Sequence, residues 1–132
     1  RAADMLLVGV SRTSKTPTSM YLAHRGYKVA NYALVPNLDF PLHYLDGLNI
    51  FVVGLTNDPR RLSQLRRTRQ AAMNDTGNET YIDIDQITAE VRRARRLFTA
   101  NNWPVIDVTR RSVEETAAAI IQLHTNWVEA QS

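Results

Sequence analysis

The chain of 132 residues contains no cysteine, which excludes a disulfide scaffold and a thiolate metal site. Lysine is almost missing: Lys15 and Lys28 are the only two, so arginine carries nearly all the positive charge. No apolar run approaches the ~18 residues a membrane-spanning helix needs, so no membrane partner is expected. No signal-peptide architecture precedes the first apolar segment. His24, His43 and His124 stand too far apart for the short ligand spacing of a zinc motif. Internal repeats, low-complexity tracts and linkers are missing too. With 44% hydrophobic and 22% charged residues, what remains has the composition of a soluble globular protein, expected in the cytoplasm. Its length predicts one domain over 1–132, with enough chain to bury a core.

The most informative stretch opens with the apolar run Met5–Val8, then Gly9, four further residues, and Ser14-Lys15-Thr16 ahead of a helix-compatible segment. That is the strand–loop–helix context of a phosphate-binding P-loop, G-x-x-x-x-G-K-[ST], with Ser14 in place of the second glycine. In such a loop, backbone N–H groups of Gly9, Val10, Ser11, Arg12, Thr13 and Ser14 turn toward a nucleotide's phosphates, helped by the positive end of the following helix. Lys15 would bring a point charge to the outer phosphates, and the Thr16 hydroxyl would ligate Mg²⁺. Pro17 suits the first helical turn, where a missing N–H costs nothing. By itself the spacing also fits a plain strand-to-helix turn with an incidental lysine.

Gly9-Val10-Ser11-Arg12-Thr13-Ser14-Lys15-Thr16-Pro17-Thr18-Ser19, with Tyr21-Leu22-Ala23 and Gly26-Tyr27-Lys28-Val29-Ala30-Asn31, resembles the pyruvate, phosphate dikinase / phosphoenolpyruvate synthase regulatory protein family. Gly54-Leu55-Thr56, Trp103-Pro104-Val105-Ile106-Asp107-Val108-Thr109 and Ser112-Val113-Glu114-Glu115-Thr116-Ala117 are similar to later blocks of that family, which accepts serine or glycine at the Ser14 position. The resemblance runs from about Asp4 to about Leu123. It implies a bifunctional enzyme acting on one threonine of the dikinase or the synthase. ADP would serve as phosphoryl donor for inactivation. Inorganic phosphate would remove the group again, releasing pyrophosphate. The family's proteins are about twice this length with the loop near mid-chain, so the resemblance further implies a C-terminal half; a homo-oligomer is compatible with it.

Arginines crowd two segments, Arg60, Arg61, Arg66, Arg67 and Arg69, then Arg92, Arg93, Arg95 and Arg96. A planar guanidinium binds phosphate bidentately, so a site handling several phosphates would favour this bias; a solvated helix face would as well. Nucleic acid is not expected as a partner, because no aromatics interleave with the arginines and Asp83, Asp85 and Glu90 lie close by.

Strand and helix alternate along the chain, predicting an α/β fold with a mostly parallel sheet flanked by helices, the P-loop nucleotide-binding class. Strands are expected at Met5–Val8, Lys28–Val35, Ile50–Leu55 and Trp103–Val108. Helices are expected from Thr18 to the Gly26 stop, over Pro59–Met73 behind Asp58, from an Asp83 or Asp85 cap through Ile87, Val91, Ala94, Leu97 and Phe98, and after a Ser112/Glu115 capping box with Ala117, Ile120, Ile121 and Leu123 inward. Residues 37–49 read as loop with one helical turn. The polar stretch Asn74–Thr80 reads as a lid that could carry Arg66, Arg67 or Arg69 over bound phosphates, or as an idle surface loop.

Two aspartates compete as the base for a target hydroxyl. Asp58 precedes Pro59, so it fits either catalysis or a helix N-cap. Asp107 lies in the apolar run Val105–Val108, where burial without a partner would cost several kcal/mol, about 2–7 for a polar group. It is therefore expected to have a partner, either structural or the metal shell, and stands as the second candidate for the base. His24 reads as a charge near a helix C-terminus and the two tryptophans as packing groups. A small-metabolite P-loop kinase and a non-catalytic nucleotide-sensing module share the loop. The first is disfavoured by Asn31-Tyr32-Ala33-Leu34, which lacks the acidic residues expected after its second strand. Phosphoryl transfer would separate the second.

Overall fold

The computed structural model describes residues 4–10, 13–35, 39–62, 64 and 84–131. Four parallel strands form one sheet in the order β2-β1-β3-β4, comprising β1 Met5–Gly9, β2 Val29–Ala33, β3 Phe51–Thr56 and β4 Val105–Asp107. Register pairs Met5 with both Val29 and Phe51, and Thr56 with Asp107. All four strands therefore end on the same edge of the sheet, at Gly9, Ala33, Thr56 and Asp107. The chain runs from central β1 outward to β2, then returns past β1 to β3. A crevice between the ends of β1 and β3 is where such a reversal leaves room for ligands.

Among the described residues the sheet is covered by α1 Lys15–His24, α2 Ile84–Ala100 and α3 Val113–Ala130, with a helical segment at 59–62 contributing Leu62. Side chains alternate across each strand, so β3 supplies Phe51, Val53 and Leu55 to one face and Val52 to the other. All six β3 residues are buried, as expected for a parallel strand covered on both faces. On one face Met5, Leu7 and Leu22 pack with Ala117 and Ile120 of α3. On the other, Val8 and Val52 meet Ile87, Val91, Ala94 and Phe98 of α2. Each fully buried Leu, Ile or Phe contributes about 1.5–3 kcal/mol, so the two helix-covered faces share the work of holding the sheet.

Local chemistry sets the ends of these elements. Helix α1 closes with Tyr27 N–H on the Leu22 carbonyl and Gly26 N–H on the Ala23 carbonyl, a Schellman turn with Gly26 at its left-handed position. The same pattern ends α2, with Asn102 left-handed and Trp103 N–H bonded to the Phe98 carbonyl. The Ser112/Glu115 capping box forms at the start of α3, both reciprocal bonds present. Residues 42–45 make one 3₁₀ turn. Strand β4 is shorter than the expected Trp103–Val108, because Pro104 has no N–H, although its carbonyl still accepts Gly54 N–H at 2.8 Å. Strand β2 stops at Ala33, short of the expected Val35. The helix after Asp58 is described at 59–62; its expected continuation to Met73, Asp83, and the proposed lid with Arg66, Arg67 and Arg69 lie outside the described residues. No helix among the described residues is long and apolar enough to cross a membrane.

Candidate functional site

The loop after β1 is built on a close approach. A Cβ on Gly9 would sit 2.7 Å from the Leu55 carbonyl oxygen and 2.9 Å from Thr13 Oγ1. No side chain fits there, and that lets β1 run straight into the loop against β3. Thr13 is fully buried and its hydroxyl donates to the Val10 carbonyl at 2.8 Å. Lys15 is 7% exposed. Its ammonium donates to the same Val10 carbonyl at 2.6 Å and to Thr13 Oγ1 at 3.1 Å. The Lys15 ammonium is thus held inside the loop. Ser11 and Arg12 lie outside the described residues.

Ser14 explains why the P-loop pattern has glycine at this point. Its φ of 63° and ψ of 26° are left-handed, a conformation glycine adopts freely and serine only at a cost of about 1–2 kcal/mol. The Ser14 carbonyl accepts the first helical bond, from Thr18 N–H at 3.0 Å. Thr16 is exposed at the first turn, its carbonyl accepting Ser19 Oγ at 3.0 Å. The Thr18 hydroxyl is buried with no hydrogen-bond partner among the described residues; such a group costs about 1–3 kcal/mol. A left-handed turn, a helix N-terminus and an enclosed lysine suit a bound phosphate, which supplies acceptors and negative charge.

One strand over, the chain leaving β3 carries buried Asn57, whose Oδ1 accepts from Asp58 N–H at 2.8 Å and lies 2.8 Å from Thr109 Oγ1, where it competes with Asp107 for the one hydroxyl proton. Asp58 N–H also reaches Thr109 Oγ1 at 2.9 Å. Asp58 Oδ1 accepts Arg60 N–H at 2.7 Å, the N-cap geometry anticipated for it.

Asp107 departs from expectation. The apolar flanks suggested a buried carboxylate, yet only Ile106 of β4 is buried, and Val105 and Asp107 face outward on this edge strand. The partner is local: Asp107 Oδ1 accepts Thr109 N–H at 2.9 Å and the Thr109 hydroxyl at 2.5 Å. That length belongs to charge-assisted O–H···O⁻ bonds, so the shared hydroxyl proton lies toward Asp107.

Two recesses open on this edge, one on each side of α2. A groove of about 510 Å³ lies on the β1–β2 side, walled by Val10, Leu34, Phe40 and Leu97, with the Arg93–Asp39 ion pair (2.7 Å) at its rim. A cleft of about 390 Å³ lies on the β3–β4 side and brings Asp58, Asp107 and Thr109 together with Arg92 and Arg95 of α2. Sequence reasoning missed this grouping and the central roles of Asn57 and Thr109. The three-residue spacing of Arg92 and Arg95 was a signal that they share a helix face. Among the described residues no three His, Asp or Glu side chains group as a metal cage. His24 falls in the last turn of α1 as anticipated. Trp103 packs near Phe40 and Phe98, and Trp127 near Phe51.

A family model described as kinase/pyrophosphorylase matches residues 1–121. An Erythrobacter litoralis protein named as a pyruvate, phosphate dikinase regulatory protein is 58% identical over 122 residues, covering 92% of this chain and 44% of its own length. A protein of the same name from Paramagnetospirillum magneticum is 50% identical over 127 residues, covering 96% of this chain and 41% of that protein. Another from Caulobacter vibrioides is 54% identical over 121 residues, covering 92% and 38% respectively. The chain spans less than half the length of these relatives.

Proposed function

The chain belongs to the kinase/pyrophosphorylase family, and from that premise we propose that its 9–16 loop is the phosphate cradle of a regulatory phosphotransferase. Its substrate is a threonine hydroxyl of pyruvate, phosphate dikinase or phosphoenolpyruvate synthase. In the inactivating direction ADP gives its β-phosphoryl group to that hydroxyl. The threonine O–P bond forms, the bridging P–O bond of ADP breaks, AMP leaves, and the hydroxyl proton departs to a base. In the activating direction inorganic phosphate takes the group and leaves as pyrophosphate. The reading places the protein in the cytoplasm with its nucleotide and its target enzyme.

The observation that carries this reading is the enclosed Lys15 ammonium, held by the Val10 carbonyl and Thr13 in a loop that turns left-handed at Ser14. Because transition states of phosphoryl transfer are loose, positioning and charge neutralisation supply most of the catalysis. Val10, Thr13 and Ser14 line the cradle, with Ser11 and Arg12 assigned to it from the sequence alone; Lys15 neutralises charge on the outer phosphates, and Thr16 is the residue to hold Mg²⁺. The metal, when bound, supplies further charge neutralisation. Asp107 is the better proton acceptor of the two aspartates, exposed and oriented by Thr109. Asp58 caps the following helix.

Lys15→Ala tests the cradle in the full-length protein. Losing one charged group at the transferring phosphoryl should cost about 3–4 kcal/mol, a few hundred-fold in rate, in both directions. Retention of full pyrophosphate-forming activity in a folded variant would contradict a shared cradle.

A further inference from the structure

We propose that the cleft between the ends of β3 and β4 is a binding site for inorganic phosphate that still carries a proton. Arg92 and Arg95 hold its anionic oxygens, and Asp107 accepts its P–OH. The two arginines lie three residues apart on α2 and line the cleft together. Among the described residues neither forms an ion pair, in contrast to Arg93, which binds Asp39 at 2.7 Å. Asp58 and Asp107 line the same cleft of about 390 Å³, yet no guanidinium nitrogen comes within ion-pair distance of either carboxylate. Cations and carboxylates that share a cleft without touching leave a gap for a group able to answer both.

The carboxylates decide which oxyanion fits. Asp107 uses Oδ1 for Thr109, and no hydrogen bond among the described residues reaches Oδ2. A carboxylate accepts hydrogen bonds and repels fully deprotonated anions. Sulfate has no proton to offer. A phosphate monoester, with a second pKa near 6, has largely lost its own at neutral pH. Hydrogenphosphate keeps one, so it can donate to Asp107 while its remaining oxygens accept from the guanidinium forks. The cleft begins at Asn57, two residues beyond Leu55, whose carbonyl oxygen lies against Gly9. Bound phosphate would therefore stand on the same edge of the sheet as the end of β1, from which the 9–16 loop departs.

Its role as the site of the incoming phosphate rests on the phosphotransferase reading; the binding itself does not. In that role one phosphate oxygen forms a bond to the phosphothreonine phosphorus and the threonine O–P bond breaks. The phosphate proton passes by way of Asp107 to the threonine oxygen. Phosphothreonine dianion and hydrogenphosphate dianion become threonine hydroxyl and pyrophosphate tetraanion, with charge and atoms balanced.

The test is a titration of the full chain at neutral pH and fixed ionic strength, reading the assigned side-chain Nε–Hε resonances of Arg92 and Arg95. Sodium phosphate, sodium sulfate and phosphothreonine are the three probes. Phosphate should shift both resonances saturably, with sulfate and phosphothreonine at least about tenfold weaker, as expected when a charge-assisted bond is exchanged for repulsion. Asp107→Asn, whose amide can donate to sulfate, should shrink that preference to within about twofold on the same reasoning. Sulfate matching phosphate on the unaltered protein, or unmoved Arg92 and Arg95 resonances, would overturn the proposal. Lys15→Ala should slow phosphoryl transfer a few hundred-fold and leave the arginine response intact. A selective arginine response together with no phosphoryl transfer by the unaltered full-length protein would retire the phosphotransferase reading and keep the site.

Discussion

Gly54→Ala puts the packing of β3 against α2 to a quantitative test. Gly54 lies in β3 between Val8 of β1 and Val105 of β4. A Cβ there would stand 2.5 Å and 2.6 Å from ring carbons of Phe98, whereas carbon atoms rest at about 3.5–4.0 Å. The ring, or the strand, must shift by about 1 Å. Phe98 is fully buried and cannot swing into solvent. Overpacking of this kind costs about 1–3 kcal/mol, and the upper end applies where the obstacle is an enclosed ring. Replacing a strand glycine returns about 0.5–1 kcal/mol of backbone entropy. The net expectation is a loss of about 2 kcal/mol, or about 8 °C in Tm for a chain of this size. Urea unfolding followed by circular dichroism measures it directly. Phe98→Leu removes part of the ring, so Gly54→Ala in that background should be close to neutral, and the double-mutant cycle should show a coupling near 2 kcal/mol. Equal effects of Gly54→Ala in both backgrounds would refute the assigned contact.

Two further substitutions test the polar ends of the sheet. Thr109→Val removes the hydroxyl shared by Asn57, Asp58 N–H and Asp107, and should cost about 1–2 kcal/mol; Asp107→Asn added to it should cost less than Asp107→Asn alone, and strict additivity in urea melts would dissolve the network. Ser112→Ala should cost about 1 kcal/mol as a lost N-cap. Its partner Glu115 titrates below the usual carboxylate range, held there by the Ser112 backbone N–H first, then by the Ser112 hydroxyl, with Arg111 adding to both. A depressed folded-state pKa means the contribution is present above the unfolded carboxylate value and fades as pH falls through the folded one. Glu115→Gln should therefore flatten the acid side of the stability–pH curve, and superimposable curves for the two proteins would count against the capping box.

Features defined within a few residues were legible in the sequence. The Ser112/Glu115 box, the Gly26 stop of α1 and the Gly9–Thr16 spacing each depend on neighbours closer than one or two helical turns. The inward face of α2 was legible as well, because Ile87, Val91, Ala94 and Phe98 repeat at helical spacing and are all buried. Asp107 was misjudged because Val105-Ile106-Asp107-Val108 reads as uniformly interior, while an edge strand exposes alternate residues. The cleft was beyond reach for a related reason. Asn57 and Thr109 lie 52 residues apart, and only the parallel register of β3 and β4 brings them, with Arg92 and Arg95, to one place.

The pairing of α1 with α3 sets the order in which the molecule can be completed during synthesis. Leu22, Met5 and Phe51 are sealed by Ala117 and Ile120, which leave the ribosome almost a hundred residues after Leu22, on the order of ten seconds later at translation rates of about 5–20 residues per second. Throughout that interval this face of the sheet has α1 but not α3 as its cover, while the opposite face closes earlier with the arrival of α2. The nascent chain therefore passes through a state in which the apolar surface later sealed by Ala117 and Ile120 is exposed, the kind of surface that chaperones hold and neighbouring chains aggregate through. A stop or frameshift just before Val113 would trap the protein in that state, with the 9–16 loop already made and the layer beneath it unfinished.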